Sequence, residues 1–235
     1  MKKVFKTVGL SGVLRNSSDD NFLKAVLNSL EDLNINVLCD QDLVNKGKNL
    51  KRYLADDGEI ILNSDLLISV GGDGTMLKNA KKYGIKGIPL LGINLGTLGF
   101  LTDVETEDLG LGLKGVLKGK YILDDRFFLQ AFLGSKKLDS TALNEIVLHS
   151  GAVAKMIEYN LFIDKRFVYN QKADGVIVFT PTGSTAYSLS GGGPIVDPDL
   201  NVTGIVPMFP HSINTTPIII DDKKEVRIEL TNSSS

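Results

Sequence analysis

The residues most able to do chemistry lie in the segment Gly71-Gly72-Asp73-Gly74-Thr75, which follows an apolar run at residues 65–70. A buried strand, a glycine turn and a helix start direct backbone N–H groups and the positive end of the helix towards one point, where a phosphate can bind. Asp73 would repel that phosphate unless it contacts a hydroxyl nucleophile or a metal ion that bridges the phosphates. The segment therefore favours phosphoryl transfer. The structural alternative is a tight turn in which Asp73 only caps the helix.

A second candidate is the pair Asn144 and Glu145, which follows a short apolar stretch. A carboxylate beside a carboxamide can hold a ribose diol and the edge of a base. Taken alone the pair is weak evidence, because two polar residues at the end of a strand are also typical of a solvated turn.

The third candidate is the run at residues 174–193, in which an apolar strand leads from Asp174 into a turn rich in hydroxyls and glycines. Hydroxyls and free N–H groups suit the neutral recognition of sugar and base edges, and Tyr187 offers a stacking face. The alternative is a flexible serine-glycine loop. The strand in front and a predicted helical turn at residues 185–190 argue against that alternative.

Several familiar signatures are missing or fail their context. Residues 110–115 fit G-x-G-x-x-G, but they follow acidic residues instead of a strand, and no acidic residue lies about 20 positions further on. The chain has no G-x-x-x-x-G-K-[ST] and no G-x-S-x-G. Two histidines and one cysteine argue against a zinc site. His211, after Pro210, is either a buried hydrogen-bonded histidine or a site residue.

The composition bounds the class of protein. The 235 residues are 43% hydrophobic and 23% charged, with a formal net charge of -2 and a pI of about 5.7. Such a chain can bury a sizeable core, and it has no basic field for nucleic acid or a membrane surface. Cys39 is the single cysteine, so no disulfide forms within the chain and a reducing compartment is expected. No apolar run reaches the roughly 18 residues of a membrane span.

The elements that must position these residues change character along the chain. Residues 4–10, 36–40, 65–70 and 88–93 read as strands, with a helix that Ser17 or Ser18 caps and another that begins near Thr75. Continuous apolar runs are typical of parallel strands that are buried on both faces. The first half is therefore predicted to be a doubly wound α/β domain.

The second half is predicted to be β-rich. Short strand-like patterns occur at residues 127–133, 142–148, 157–163, 175–179 and 226–230, with turn residues between them. We place the boundary near residue 120. This gives an α/β domain of residues 1–120, which carries the glycine turn, and a β-rich domain of residues 121–235.

Three segments together resemble one family, the NAD kinases. They are the Gly-Gly-Asp-Gly-Thr turn, Leu143-Asn144-Glu145, and the run at residues 174–194, which includes Thr-Pro-Thr-Gly-Ser-Thr-Ala-Tyr. Residues 94–103 and 206–212 fit as well, and the resemblance covers nearly the whole chain in the same order. The Gly-Gly-Asp-Gly turn alone is shared with diacylglycerol and sphingosine kinases and with relatives of phosphofructokinase.

The resemblance implies an N-terminal α/β domain, a C-terminal β-sandwich that binds NAD, and an ATP-dependent kinase that makes NADP. Asp73 would accept the proton of the adenosine-ribose 2′-hydroxyl, while the backbone of Gly71, Gly72, Gly74 and Thr75 holds phosphate. The NAD contacts it implies are Asp73, Gly74, Phe100, Asn144, Glu145, Asp174, Thr182, Thr185, Ala186, Tyr187, Ser188, Leu189 and Ser190. Lys155 and Lys172 lie where relatives place polar or basic residues near the ligand; the alternative is that they are plain surface lysines. A divalent metal, usually magnesium, a homodimer or homotetramer, and the cytoplasm are also implied.

Two departures from the family pattern matter. The chain stops soon after residues 226–230, where family members continue through further strands, so its C-terminal end is expected to be missing. The segment 214–217 lacks the arginine that many relatives carry before the proline. Two other functions therefore stay open, a Gly-Gly-Asp-Gly type lipid kinase and a catalytically inactive dinucleotide-binding fragment.

Overall fold

The chain folds as two compact units, residues 1–123 and residues 124–235. The computed structural model describes residues 5–14, 17–47, 49–95, 99–102, 104–105, 109–151, 155–212 and 215–231. Each unit has hydrophobic cores of its own. No helix in these ranges is both long enough and apolar enough to cross a membrane.

The first unit is an α/β domain on a parallel sheet. Its strands are β1 (Thr7–Gly12), β2 (Asn36–Cys39), β3 (Leu66–Val70), β4 (Leu90–Asn94) and β5 (Val104–Glu105). Its helices are α1 (Ser17–Glu31), α2 (Gln41–Lys46), α3 (Asp57–Asn63), α4 (Asp73–Lys82) and α5 (Leu109–Leu117), with short 3-10 helices at Lys51–Tyr53 and Gly84–Lys86. The strand order is β2-β1-β3-β4-β5, and every neighbouring pair is parallel.

Both faces of this sheet are covered. Leu66 and Ile68 of β3 belong to the larger core, whereas Leu67 between them packs with Ile60 of α3 and Tyr83 in a smaller one. Side chains alternate across a strand, so the two cores lie on opposite faces. The predicted doubly wound arrangement is confirmed. Its strand order reverses beside β1, and ligands of such sheets bind at the carboxyl ends of the strands near that point.

Helix α4 begins at Asp73, two residues before the predicted start at Thr75. Gly72 has extended backbone angles, and its carbonyl accepts the N–H groups of Thr75 and Met76, so the helix is already established at Asp73. The G-x-G-x-x-G match at residues 110–115 lies inside helix α5 instead of in a strand–helix turn, which confirms that it is not a dinucleotide fingerprint.

The second unit is antiparallel and β-rich, as predicted. Its strands are β6 (Leu129–Leu133), β7 (Lys136–Ala142), β8 (Glu145–His149), β9 (Ile157–Ile163), β10 (Arg166–Ala173), β11 (Gly175–Phe179), β12 (Val202–Met208), β13 (Ile218–Asp221) and β14 (Val226–Leu230). They form a four-stranded sheet in the order β13-β12-β11-β8, a three-stranded sheet β10-β9-β14 and the hairpin β6-β7. Tyr159 and Leu161 of the smaller sheet share a core with Val176 and Ile205 of the larger one. After β11, a 3-10 turn at Thr182–Thr185 leads into the short helix α6 (Tyr187–Ser190).

Candidate active site

The three glycines of the turn differ in whether the fold itself requires glycine at that position. Gly71 has a φ of 150°, which L side chains rarely adopt, and a Cβ there would overlap the side chain of Thr75. Gly72 and Gly74 have ordinary backbone angles, and a Cβ on either would meet no described atom within 4 Å. The fold therefore requires glycine only at Gly71. At the other two positions, the missing side chains leave open space beside the first turn of α4, where a ligand can come close to the backbone.

Asp73 does not cap its own helix, so the alternative that Asp73 serves only as a helix cap is excluded. The N-cap of α4 is Gly72, with no side-chain cap bond. The Asp73 carboxylate instead accepts the backbone N–H of Phe100 at 2.9 Å and that of Leu101 at 3.1 Å. Gly99 passes so close that a Cβ there would overlap the carboxylate. Each carboxylate oxygen keeps acceptor capacity, so Asp73 can also bind a hydroxyl or a cation.

In the second unit, Asn144 and Glu145 stand where the approach to β8 meets the turn after β11. The Asn144 carbonyl accepts the N–H of Thr180 at 2.9 Å, and Gly183 lies directly against the Asn144 backbone. A backbone N–H from Tyr187 reaches the Glu145 carboxylate. These contacts hold the Asn144 backbone against the turn after β11 and the Glu145 carboxylate beside helix α6.

Two acceptor atoms of this pair lack a hydrogen-bond partner. Asn144 Oδ1 and Glu145 Oε2 are buried and have no hydrogen-bond partner in the described part of the chain. A buried polar atom without a partner costs about 1–3 kcal/mol, and the described residues contain five others, on Ser64, Thr102, Tyr159, Tyr169 and Asp222. Asn144 and Glu145 differ from these in being consecutive residues of a segment that the sequence analysis singled out. Burial raises the pKa of Glu145, and the bond from Tyr187 offsets part of that increase. The pair is thus ready to accept hydrogen bonds from a ligand.

A cavity of about 400 Å³ lies in the same unit; Asn144 and Glu145 do not line it, but Tyr187, whose N–H bonds Glu145, does. It is lined by Val147, His149, Ser150, Lys155, Asp174, Tyr187 and Met208. That volume lies in the range of small-molecule sites. The structure therefore brings three predicted residues, Lys155, Asp174 and Tyr187, to one cavity.

Four lining residues were missed by the sequence analysis, and a signal existed for two of them. Val147 and His149 follow Glu145 at intervals of two along β8, which places all three on one face of the strand. That period could have pointed to them. Met208 pairs with Gly175 across two strands, and its carbonyl accepts the Asp174 N–H at 3.0 Å. No local sequence pattern predicts that pairing.

The run at residues 182–190 combines supporting and exposed side chains. Ser188 is fully buried, and its hydroxyl donates to the Gly183 carbonyl at 2.8 Å, so it stabilises the turn. Thr182 is also buried and accepts a bond from Arg126 at 3.1 Å. Thr185 and Ala186 are half-buried, whereas Tyr187, Leu189 and Ser190 are exposed. Of these residues, only Tyr187 lines the cavity.

Arg126 is a further residue that the sequence analysis missed. Its guanidinium pairs with Asp124 and donates to Thr182. It precedes β6 without any motif that would single it out.

Some predicted residues lie apart from these groups. Lys172 is exposed on β10, and its carbonyl accepts the N–H of His211 at 2.9 Å. His211 is itself exposed, so the first of its two alternatives, a buried hydrogen-bonded histidine, does not hold. Phe100 is 75% exposed and contributes its N–H to Asp73. Residues 96–98 and 103 of the segment 94–103 lie outside the described residues.

Family models match both halves of the chain. Residues 10–121 match the ATP-NAD kinase N-terminal domain, and residues 143–235 match the ATP-NAD kinase C-terminal domain. The chain is 43% identical over 234 residues to the NAD kinase of Tolumonas auensis, covering 98% of this chain and 80% of the relative. It is 41% identical over 227 residues to the NAD kinase of Teredinibacter turnerae, covering 95% and 78%.

Two solved structures share the fold. Yeast NADH kinase complexed with NADH superposes with a TM-score of 0.84 at 26% identity, covering 98% of this chain and 69% of the other. An NAD kinase from Archaeoglobus fulgidus in complex with ATP gives a TM-score of 0.75 at 28% identity, covering 95% and 80%.

Proposed function

This chain belongs to the NAD kinase family, and on that premise we propose that it transfers the γ-phosphoryl group of ATP to the 2′-hydroxyl of the adenosine ribose of NAD, which gives NADP. The relatives described above are all NAD or NADH kinases. Nothing comparable supports a lipid kinase or an inactive fragment. The observation that carries the proposal is the pair of buried, unpartnered acceptors on Asn144 and Glu145, since Glu145 is bonded by the backbone of Tyr187, which lines a cavity together with Asp174.

Asp73 is proposed as the catalytic residue. Phosphoryl transfer asks the protein mainly to position the reactants and to neutralise charge. The bonds from Phe100 and Leu101 fix the orientation of the Asp73 carboxylate, which can then align the attacking hydroxyl and accept its proton. The backbone of Gly71, Gly72, Gly74 and Thr75 would hold the ATP phosphates in the open space beside α4.

The dinucleotide contacts follow from donors and acceptors. Asn144 and Glu145 would accept hydrogen bonds from ribose hydroxyls, because each has an unused buried oxygen. Tyr187 offers a ring face to a base, and Lys155 and Lys172 would bind phosphate oxygens. The remaining proposed NAD contacts are Asp73, Gly74, Phe100, Asp174, Thr182, Thr185, Ala186, Ser188, Leu189 and Ser190.

Magnesium fits the first unit as a partner of ATP. The described residues contain no group of three or more His, Cys, Asp or Glu side chains that could cage a metal. Mg²⁺ commonly binds through one or two carboxylates together with substrate phosphates, and Asp73 provides one such carboxylate. The ion would neutralise charge on the phosphates, while Asp73 keeps the hydroxyl oriented. The family resemblance also supports a homodimer or homotetramer in the cytoplasm as part of this proposal.

The direct test is an assay of the purified chain with ATP, NAD and magnesium, in which NADP is measured by a coupled dehydrogenase. We expect NADP to accumulate with time and to depend on both nucleotides. Diacylglycerol is offered in parallel as the alternative acceptor. Phosphorylation of the lipid without NADP, or calorimetric binding of NAD without turnover, would contradict the proposal.

Glu145→Gln is expected to weaken NAD binding about tenfold near pH 8. The variant should also lose the decrease in NAD affinity that the unchanged protein shows as pH falls. A hydrogen bond to a charged acceptor contributes about 1.5–3 kcal/mol, and the amide replaces it with a neutral one. In the unchanged protein, affinity should fall as pH falls through the pKa of Glu145, which burial raises. Calorimetric titration with NAD between about pH 5 and pH 8 measures both effects.

The same substitution should make the ligand-free protein more resistant to urea near pH 8. A carboxyl whose folded pKa is raised stabilises the fold fully below its unfolded pKa of about 4.3, and that contribution is lost as pH rises through the folded pKa. Glu225→Gln, at an exposed position of the same unit, is the control and should change neither property. Equal NAD affinity of the two variants would show that Glu145 does not contact NAD.

A further inference from the structure

A second group of buried polar side chains lies in the first unit, and the proposed reaction does not use it. Ser11 stands near the carboxyl end of β1, Ser69 near that of β3, and Asp40 directly after β2. Asn79 joins them from helix α4, six residues after Asp73. Their exposed fractions are 3% for Ser11 and Asp40 and 1% for Ser69 and Asn79. Polar groups buried this deeply need defined hydrogen-bond partners.

The four side chains form one connected network. Ser11 Oγ lies 2.5 Å from Asp40 Oδ2 and 2.8 Å from Asn79 Oδ1. Asn79 Nδ2 donates to Ser69 Oγ at 2.8 Å. The backbone N–H of Leu43 donates to Asp40 Oδ1 at 2.8 Å. Strands β1 and β3, the start of α2 and helix α4 are thereby tied together.

The charge of Asp40 can be inferred by counting the protons available to the two oxygen–oxygen contacts of Ser11. Ser11 has one hydroxyl proton, but its oxygen contacts two other oxygens, one on Asp40 and one on Asn79. If Asp40 were ionised, one of these contacts would contain no proton and the two oxygens would repel each other. If Asp40 is protonated, it donates to Ser11 and Ser11 donates to Asn79. Only the second arrangement satisfies both contacts with this orientation of the Asn79 amide.

The surrounding charges agree with that count. The titratable groups that act on Asp40 come from its own segment and from α4 and its end: Cys39, Asp42, Lys78, Lys82 and Tyr83. In the described ranges, the two lysines are bonded to other carboxylates. Lys78 pairs with Asp42 at 2.6 Å and Lys82 with Asp57 at 2.5 Å. A buried carboxylate without a directly bonded cation is strongly disfavoured.

Burial is the largest influence on Asp40 and raises its pKa. The bonds from Ser11 and Leu43 lower that pKa, Asp42 raises it further, and Lys82 lowers it. Burial likewise raises the pKa of the Cys39 thiol to about 12, so this neighbour stays neutral. The charged neighbours are therefore mixed in sign, and no single cation compensates for the burial.

We propose that Asp40 binds Ser11 as a carboxylic acid up to a higher pH than a free aspartate would and that, through Ser11, it holds Asn79 and thereby the helix that begins at Asp73. Asp40, Ser11 and Asn79 are positioning residues, because they act through α4 and do not touch the substrate. This inference rests on the proposed function insofar as it concerns catalysis. The protonation of Asp40 can be tested without any enzyme activity.

The decisive measurement is urea unfolding of the unchanged chain and of Asp40→Asn between about pH 4 and pH 8. Asparagine has the shape of the neutral acid and can make the same bonds to Ser11 and Leu43. An unfolded aspartate loses its proton near pH 3.9, whereas burial makes the folded one keep its proton to a higher pH. The folding equilibrium constant of the unchanged chain, relative to Asp40→Asn, should therefore fall as pH rises above about 4 and become constant only above the raised pKa of the folded Asp40. A ratio that stays constant or rises over this range would show an Asp40 that is ionised throughout, with the Asn79 amide turned the other way, and would overturn the proposal.

The positioning role is tested by kcat. Asp40→Ala removes the network and should lower kcat about tenfold, with KM for NAD and ATP unchanged, because a small displacement of Asp73 affects the reacting geometry more than binding. Asp40→Asn should retain kcat within about twofold. Asp32→Asn, which replaces an exposed carboxylate of the same unit after α1, is the matched control and should behave like the unchanged chain.

Three outcomes remain distinct. Full kcat in a folded Asp40→Ala would exclude the positioning role. If Asp40→Ala does not fold, Asp40→Asn with less than a tenth of the normal kcat would exclude it instead, since that variant keeps the bonds. An unchanged chain that makes no NADP would contradict the proposed function, while the urea measurement would still decide the charge of Asp40.

Discussion

Asp73→Asn is expected to lower kcat for NADP formation about a thousandfold. A positioned acid–base group contributes about 10²–10⁴-fold, and Asp73 would also provide a negative charge for the metal ion that accompanies ATP. The amide keeps the size of the carboxylate but can neither accept the proton nor bind a cation well. Steady-state measurement of NADP, with ATP and NAD both saturating, gives kcat directly.

This substitution also has a structural consequence that the experiment must separate. The carboxylate accepts N–H groups from both Phe100 and Leu101, whereas an amide must turn its own NH₂ towards one of them. A modest loss of thermal stability is therefore expected, with NAD affinity by calorimetry retained within about threefold. Asp32→Asn serves again as the control, because it removes an exposed acid of the same unit. A folded Asp73→Asn that keeps a tenth or more of the normal kcat would exclude Asp73 as the catalytic residue.

Gly74→Ala is expected to lower kcat/KM for ATP about a hundredfold while it makes the protein slightly more stable. Gly74 lies in the first turn of α4 with ordinary backbone angles, and a Cβ there meets no described atom within 4 Å. Alanine is favoured over glycine in helices by roughly 0.5–1 kcal/mol, so the fold should gain stability. The added methyl group, however, would occupy the space proposed for phosphate, and a displacement of about 1 Å at a reacting group can cost 10²-fold.

Gly71→Ala is the matched comparison, because it should fail for the opposite reason. With a φ of 150° and Thr75 in contact, alanine at that position is strained and should destabilise the fold by about 1–3 kcal/mol. Thermal unfolding and ATP kinetics of the two variants should therefore diverge. A Gly74→Ala enzyme with unchanged ATP kinetics would show that phosphate does not approach this helix terminus.

The two groups of buried polar side chains, around α4 and beside α6, differ in whether all their polar atoms have hydrogen-bond partners. Around α4, every side chain of the Ser11, Asp40, Asn79 and Ser69 network has a partner within the fold. Beside α6, Asn144 and Glu145 each keep a buried oxygen without one. The first group ties a helix to the sheet, whereas the second has acceptor atoms without partners, which we propose bind NAD.

Candidate segments made of a few consecutive residues could be found from the sequence alone. The glycine turn directly follows the apolar run of β3, and Asp174 to Tyr187 lies in one continuous segment, so local pattern and family resemblance located both. The alternation of apolar strands and helices predicted the α/β unit, and short strand-like segments predicted the β-rich unit, because periodicity depends only on near neighbours.

The tertiary structure decided which atoms meet across long stretches of chain. The partners of Asp73 lie 27 and 28 residues away, and the pairing of Gly175 with Met208 depends on the register of two strands. The link from Ser11 to Asn79 spans 68 residues. Register and helix docking are set by how the cores pack, which no local pattern specifies. The sequence by itself therefore determined the kind of chemistry and the segments that carry it. Only the packed fold decided which buried oxygens have hydrogen-bond partners and which do not.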